Sequence, residues 1–187
     1  DERVLSKVRL GKGLIWRLTD EGQPIYDRVL GVAEVESRIA RCWVPYHDAV
    51  AQAIDAAHAR HGYSIHINCH SMPAISASHA TDFPGLVHAD FVVGDRDGTT
   101  CAPAFTAFVR EVLAGQGYDV KVNDPFKGVE LVRAYANPSA GFHSLQLEVN
   151  KRLYMDQATL QKHDGFGRLQ ADLMDLLAAI AQRFGRG

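Results

Sequence analysis

From Val32 onward, apolar residues recur at helical spacing: Val35, Ile39, Cys42, Trp43, Tyr46, Val50, Ile54 and Ala57 share one stripe. The spacing predicts a helix kinked near Pro45 and stopped by Gly62. The pattern then changes to the short period of a strand over residues 63–69. Residues 72–89 carry Pro73, Pro84, Gly85 and several small residues and read as a long loop. Phe91-Val92-Val93 reads as a short strand closed by Gly94-Asp95-Arg96-Asp97-Gly98. A helix follows over 102–114, with Phe105, Phe108, Val109 and Val112 on one face. Strands are read at 118–122 and 142–149, and a further strand-like run at 129–135, broken at Asn137-Pro138. The last helix, roughly 166–184, carries the stripe Phe166, Leu169, Leu173, Leu176, Leu177, Ile180 and Phe184, with Asp164 as its expected N-cap. Residues 1–31 show no period and are punctuated by Gly11, Gly13, Gly22 and Pro24.

Strands alternating with helices predict an α/β fold: a mixed, largely parallel sheet flanked by helices. Sites in such sheets form at the carboxyl ends of strands. His70, at the end of the run Ser64-Ile65-His66-Ile67-Asn68-Cys69, is placed there. His66 and Asn68 share one face of that strand, either as satisfied polar groups or as part of a site. In the strand at 142–149, the two-residue period sets Ser144, Gln146 and Glu148 on one face and His143, Leu145 and Leu147 on the other. A carboxylate buried beside apolar neighbours needs a cation, a metal or a raised pKa, whereas at a solvent-facing strand end it is an ordinary surface charge. Arg133 suits either a carboxylate partner or a structural ion pair with Glu130 or Asp124.

Composition narrows the function classes. The 187 residues suit one domain, with 47% hydrophobic and 22% charged positions. A net charge of -2 gives no basic balance for nucleic acid or an anionic membrane. No apolar run reaches the length of a membrane span. Three widely spaced cysteines, Cys42, Cys69 and Cys101, make neither a disulfide framework nor a paired metal motif and suit a reducing compartment such as the cytoplasm. The loop Gly94–Thr100 lacks the phosphate-binding pattern, and neither a GxSxG nor an HExxH motif is present.

The order of several motifs resembles the N-formylglutamate amidohydrolase (deformylase) family. The resemblance rests on Gly13-Leu14-Ile15-Trp16, Gly22-Gln23-Pro24-Ile25-Tyr26, Trp43-Val44-Pro45-Tyr46-His47 and Asn68-Cys69-His70-Ser71-Met72. It continues through Val93–Cys101, Phe126-Lys127-Gly128, Arg133-Ala134-Tyr135-Ala136-Asn137-Pro138, His143–Glu148 and Tyr154-Met155-Asp156. Asn68 and Val129 depart from the pattern, which carries Asp and Gly at those places.

The resemblance implies a zinc-carboxypeptidase-like (phosphorylase/hydrolase-like) fold and the hydrolysis of N-formyl-L-glutamate to L-glutamate and formate, a step of histidine degradation. It implies that His70 is a ligand of a Zn2+ ion and Glu148 the general base or acid acting on water. Arg133 would hold a substrate carboxylate, with Lys127 and His143 as weaker candidates near the same rim. The remaining metal ligands are implied to come from an N-terminal segment with a Pro-His-Ser/Asp-Gly turn. The chain starts at Asp1 without that turn, so residues 1–187 read as a single amidohydrolase domain lacking it. The partner implied is a small molecule. The alternative is a non-catalytic relative that binds an acidic small molecule in the same pocket.

Overall fold

A computed structural model describes residues 5, 8–9, 11–19, 22–78 and 83–185. It divides into two compact units, residues 1–50 with 77–84, and residues 51–76 with 85–187. No helix among the described residues is long and apolar enough to cross a membrane.

In the first unit, short backbone bridges fold the chain back on itself where no period was legible. Leu18 pairs with Pro24, and the Ile25 N–H donates to the Arg17 carbonyl at 2.9 Å. Helix α1 (Val32–Arg38) places Glu34 between Arg28 and Arg38, at 2.7 and 2.6 Å. Ahead of Pro45, where a kink was expected, a π-helical stretch, Ile39–Trp43, leads into α2 (Val44–His61), whose residues from Ala51 on belong to the second unit. Pro45 has no N–H to give to the preceding turn, and the wider turn absorbs that loss. Gly62, at φ +76°, ends α2 as expected.

The second unit is built on a four-stranded sheet in the order β1-β4-β2-β3, with β1 Ser64–Met72, β2 Phe91–Gly94, β3 Val120–Val122 and β4 Phe142–Asn150. β1 pairs with β4 and β2 with β3 in parallel, while β2 runs antiparallel to β4. The sheet is therefore mixed and mostly parallel, as the alternation predicted. Helix α3 (Pro103–Gly115) and the long carboxyl-terminal helix (Gly165–Phe184) flank it.

One face of the sheet is apolar. Ile65, Ile67, Phe91, Val93, Val120, Val122, Leu145, Leu147 and Val149 form one cluster with Phe105, Val109 and Leu113 of α3 and Leu169, Leu176 and Ile180 of the last helix. Leu173 and Phe184 of the stripe read from the sequence pack against this cluster, whereas Phe166 lies outside it and Leu177 stays exposed. Burying such side chains supplies about 1.5–3 kcal/mol each, which makes this layer the main source of stability.

Three expectations are corrected. Residues 129–135 are not a strand: Glu130–Ala134 form a short helix, α4, and the carboxyl-terminal helix is accordingly α5. The run Val129–Ala134 fits either period; the helix buries Val132 fully and brings Glu130 and Arg133 together at i,i+3. Strand β1 does not stop on His70 but continues to Met72, because His70, Ser71 and Met72 pair along β4 with Glu148, Val149 and Asn150. Asp164 makes no side-chain cap; the Gly165 N–H is instead accepted by His163 Nδ1 at 3.0 Å.

Candidate active site

The other face of the sheet is polar. Because paired residues of neighbouring strands point the same way, the register stacks three cross-strand pairs: His66 with Ser144, Asn68 with Gln146, and His70 with Glu148. His66 Nδ1 lies 2.8 Å from Ser144 Oγ. Asn68 Nδ2 donates to Gln146 Oε1 at 3.3 Å, and Gln146 Nε2 donates to Glu148 Oε1 at 2.7 Å. His70 Nδ1 stands 3.6 Å from Glu148 Oε1. Ser144, Gln146, Glu148 and Asn150 are buried; the Glu148 side chain is 8% exposed, while that of His70 is 40% exposed. The ladder thus opens to solvent at its His70 rung.

The loop after β3 crosses this face at Gly94. A Cβ there would lie 2.8 Å from Gly128 N and Lys127 C, so only glycine lets the two backbones approach. Gly128, at φ +104°, turns the loop so that the Val129 N–H donates to Gln146 Oε1 at 3.0 Å. On the far side of Glu148, Asn150 Nδ2 donates to the carbonyls of His88 and Ala89 at 3.2 and 2.9 Å. His88 Nε2 meets Ser76 Oγ at 2.7 Å and its ring stacks on Phe126, which pins the base of the loop between β1 and β2.

Burial raises the Glu148 pKa above the ordinary carboxylate value; His70 and the Gln146 hydrogen bond offset part of that shift. A carboxyl group so placed holds a proton at higher pH than a surface carboxylate does, which suits it to take up a proton and give it back. Burial also lowers the pKa of His66, favouring its neutral form.

The other expected site residues do not all join this pair. Lys127 Nζ is held by Asp97 Oδ2 at 2.8 Å, and both are exposed. Arg133 lies on α4, exposed, its guanidinium forked onto the Glu130 carboxylate. That is the structural ion pair which the sequence reading set beside a substrate role. His143 projects from the opposite face of the sheet, where its Nδ1 accepts the Ala102 N–H at 3.3 Å ahead of α3. It stands apart from His70 and Glu148, because adjacent strand residues alternate faces. Among the described residues, no group of three or more His, Cys, Asp or Glu side chains is placed to hold a metal ion. Of His66, His79 and His88, the histidines that could complete a metal site with His70 within the chain, His79 lies outside the described residues. His70 beside Glu148 does not by itself meet the three or four protein ligands that zinc takes.

Sequence reasoning set Gln146 and Glu148 on one face but gave Gln146 no part in the site. It missed the Val129 N–H altogether. The backbone amide is not legible in a side-chain pattern, and the register that sets Asn68 beside Gln146 joins residues far apart in the chain. Two cavities of about 610 and 470 Å³ are lined by residues between Val8 and Tyr46 and include none of these side chains.

The sequence model of the N-formylglutamate amidohydrolase family matches residues 1–155. The chain belongs to this family. Within it, the N-formylglutamate deformylase of Pseudomonas aeruginosa is 33% identical over 141 residues, 73% of this chain and 51% of the relative. The N-formylglutamate deformylase of Pseudomonas putida is 28% identical over 176 residues, 89% of this chain and 64% of the relative. The chain therefore spans about half to two thirds of the length of these relatives. The solved structure of the N-formylglutamate amidohydrolase from Ralstonia eutropha superposes with a TM-score of 0.90 at 45% identity, over 97% of this chain and 65% of that one. A protein from Agrobacterium tumefaciens, 16% identical with a TM-score of 0.66, shares the fold.

Proposed function

We propose that the chain carries the catalytic face of a hydrolase that cleaves N-formyl-L-glutamate into formate and L-glutamate. The observation that carries this reading is the Glu148 carboxylate, buried yet next to the exposed His70 at the open end of a polar ladder, in a chain of this family. Glu148 takes a proton from the attacking water as the water oxygen bonds to the formyl carbon. As the carbon–nitrogen bond breaks, it returns that proton to the leaving nitrogen. Burial keeps bulk water from competing for the carboxylate and sets its pKa upward, toward the pH at which both transfers run. Arg133 is the residue of this chain assigned to a substrate carboxylate. It takes that role by exchanging the Glu130 carboxylate for the ligand's.

His70 is the imidazole assigned to the zinc implied by the resemblance. Zinc, where bound, would polarise the formyl carbonyl and lower the pKa of water. His70 supplies only one of the ligands such an ion needs. Asn68, which stands where the family pattern carries Asp and donates to Gln146 Oε1 within the ladder, favours, as the second reading, a relative that binds an acidic small molecule without turning it over. The deciding experiment measures formate release from N-formyl-L-glutamate by the full-length gene product, with metal content determined on the same sample. Turnover supports the hydrolase. Tight binding of N-formyl-L-glutamate without formate release supports the binder.

A further inference from the structure

We propose that Gln146 is a positioning residue: its carboxamide is locked in one orientation by the Val129 N–H and fixes the Glu148 carboxylate from the side. The inference rests on Glu148 being the general base and adds a residue to that assignment. A carboxamide has a donor end and an acceptor end of nearly the same shape, so its orientation must come from its partners. The Val129 N–H is a backbone group that only donates, and it lies 3.0 Å from Gln146 Oε1. Asn68 Nδ2 adds a second donor to the same oxygen at 3.3 Å. The nitrogen end is thereby turned to Glu148 Oε1, 2.7 Å away. Gln146 is 2% exposed, so reversing the amide would leave the Val129 N–H facing another donor with little water to take its place.

The consequence is a difference between the two oxygens of Glu148. Oε1 accepts the Gln146 proton, so the proton of the attacking water goes to Oε2. The arrangement also ties the reacting carboxylate to the loop over Gly94, through a backbone amide one residue before α4. Gln146 touches neither substrate nor water in this scheme. It acts on the rate by holding Glu148, an interaction that matters to the chemical step rather than to substrate binding.

Two variants and one spectroscopic measurement test it in the full-length protein. Gln146→Leu removes the donor to Glu148 and is expected to lower kcat ten- to a hundredfold with KM within about twofold. Val129→Pro leaves Gln146 in place but deletes the N–H that orients it; the native φ of -84° is close to what proline imposes. It should lower kcat about tenfold, again with KM nearly unchanged, and it carries the test if the leucine variant does not fold. In NMR spectra the Gln146 side-chain amide protons should exchange slowly in the wild type and about tenfold faster in Glu148→Ala. An unchanged kcat in both variants, an effect on KM alone, or equally fast exchange with and without Glu148 overturns the proposal. Wild-type protein that releases no formate overturns the hydrolase reading instead, and the exchange measurement still decides whether Gln146 holds Glu148.

Discussion

Replacing Glu148 by Gln and by Ala separates what the carboxylate does in catalysis from what it does in the fold. Both variants remove the base. Losing a general base costs about two to four orders of magnitude in rate, or roughly 3–5 kcal/mol of transition-state stabilisation. Their effects on stability should differ. In Glu148→Gln the amide oxygen still accepts the Gln146 Nε2 proton, so the ladder keeps its rung and sheds the cost of burying a charge. Its stability should equal or slightly exceed that of the wild type. In Glu148→Ala the Gln146 donor is left buried without an acceptor, which costs about 1–3 kcal/mol. Formate release reads the rate, and urea unfolding of chelator-treated protein reads the stability. Near-wild-type turnover in Glu148→Gln would remove Glu148 from the mechanism. Equal destabilisation in the two variants would show that the Gln146 bond contributes nothing to the fold.

Three further outcomes are expected. Arg133→Ala should raise KM about tenfold or more for substrates with a free carboxylate, since a hydrogen bond to a charged group contributes about 1.5–3 kcal/mol, while the exposed Glu130 pair it breaks should move the unfolding midpoint little; unchanged KM refutes the assignment. Gly94→Ala should destabilise by about 1–3 kcal/mol and cut kcat, because its Cβ must push the Lys127–Gly128 backbone away and carry the Val129 N–H with it; wild-type stability and rate would show that the close approach is not needed. In metal-free protein the raised Glu148 pKa means that the native state binds a proton more tightly than the unfolded chain, so wild-type stability should fall, relative to Glu148→Gln, as pH rises from the ordinary glutamate value near 4.3 through the raised one; parallel stability curves for the two proteins refute it.

The apolar layer was legible in the sequence because burial writes a period. The stripe of α5 and the alternation of β4 each named their core residues. The same alternation set Gln146 and Glu148 together and His143 on the reverse face, although His143 was still grouped with them through the family resemblance. What was not legible depends on partners distant in sequence. His70 reads as a strand end because Pro73 follows closely, yet pairing with β4 carries the strand to Met72. Val129–Ala134 satisfies two periods at once, and its helical form follows from Gly128 and from what Val132 can bury against. The lock on Gln146 is made by a main-chain N–H, which every non-proline residue carries, so no residue type announces it.

The pairing of β1 with β4 checks two things at once. A slip of one residue would turn His66, Asn68 and His70 into the oily side and lift Ile65 and Ile67 into water, so such a chain fails at once. A slip of two would keep every greasy side chain indoors and pass as a well-folded protein. It would nevertheless set His70 opposite Gln146 and leave Glu148 without its histidine. Proofreading of the fold by burial alone is therefore blind to this error, and only the polar rungs distinguish a working molecule from a silent one.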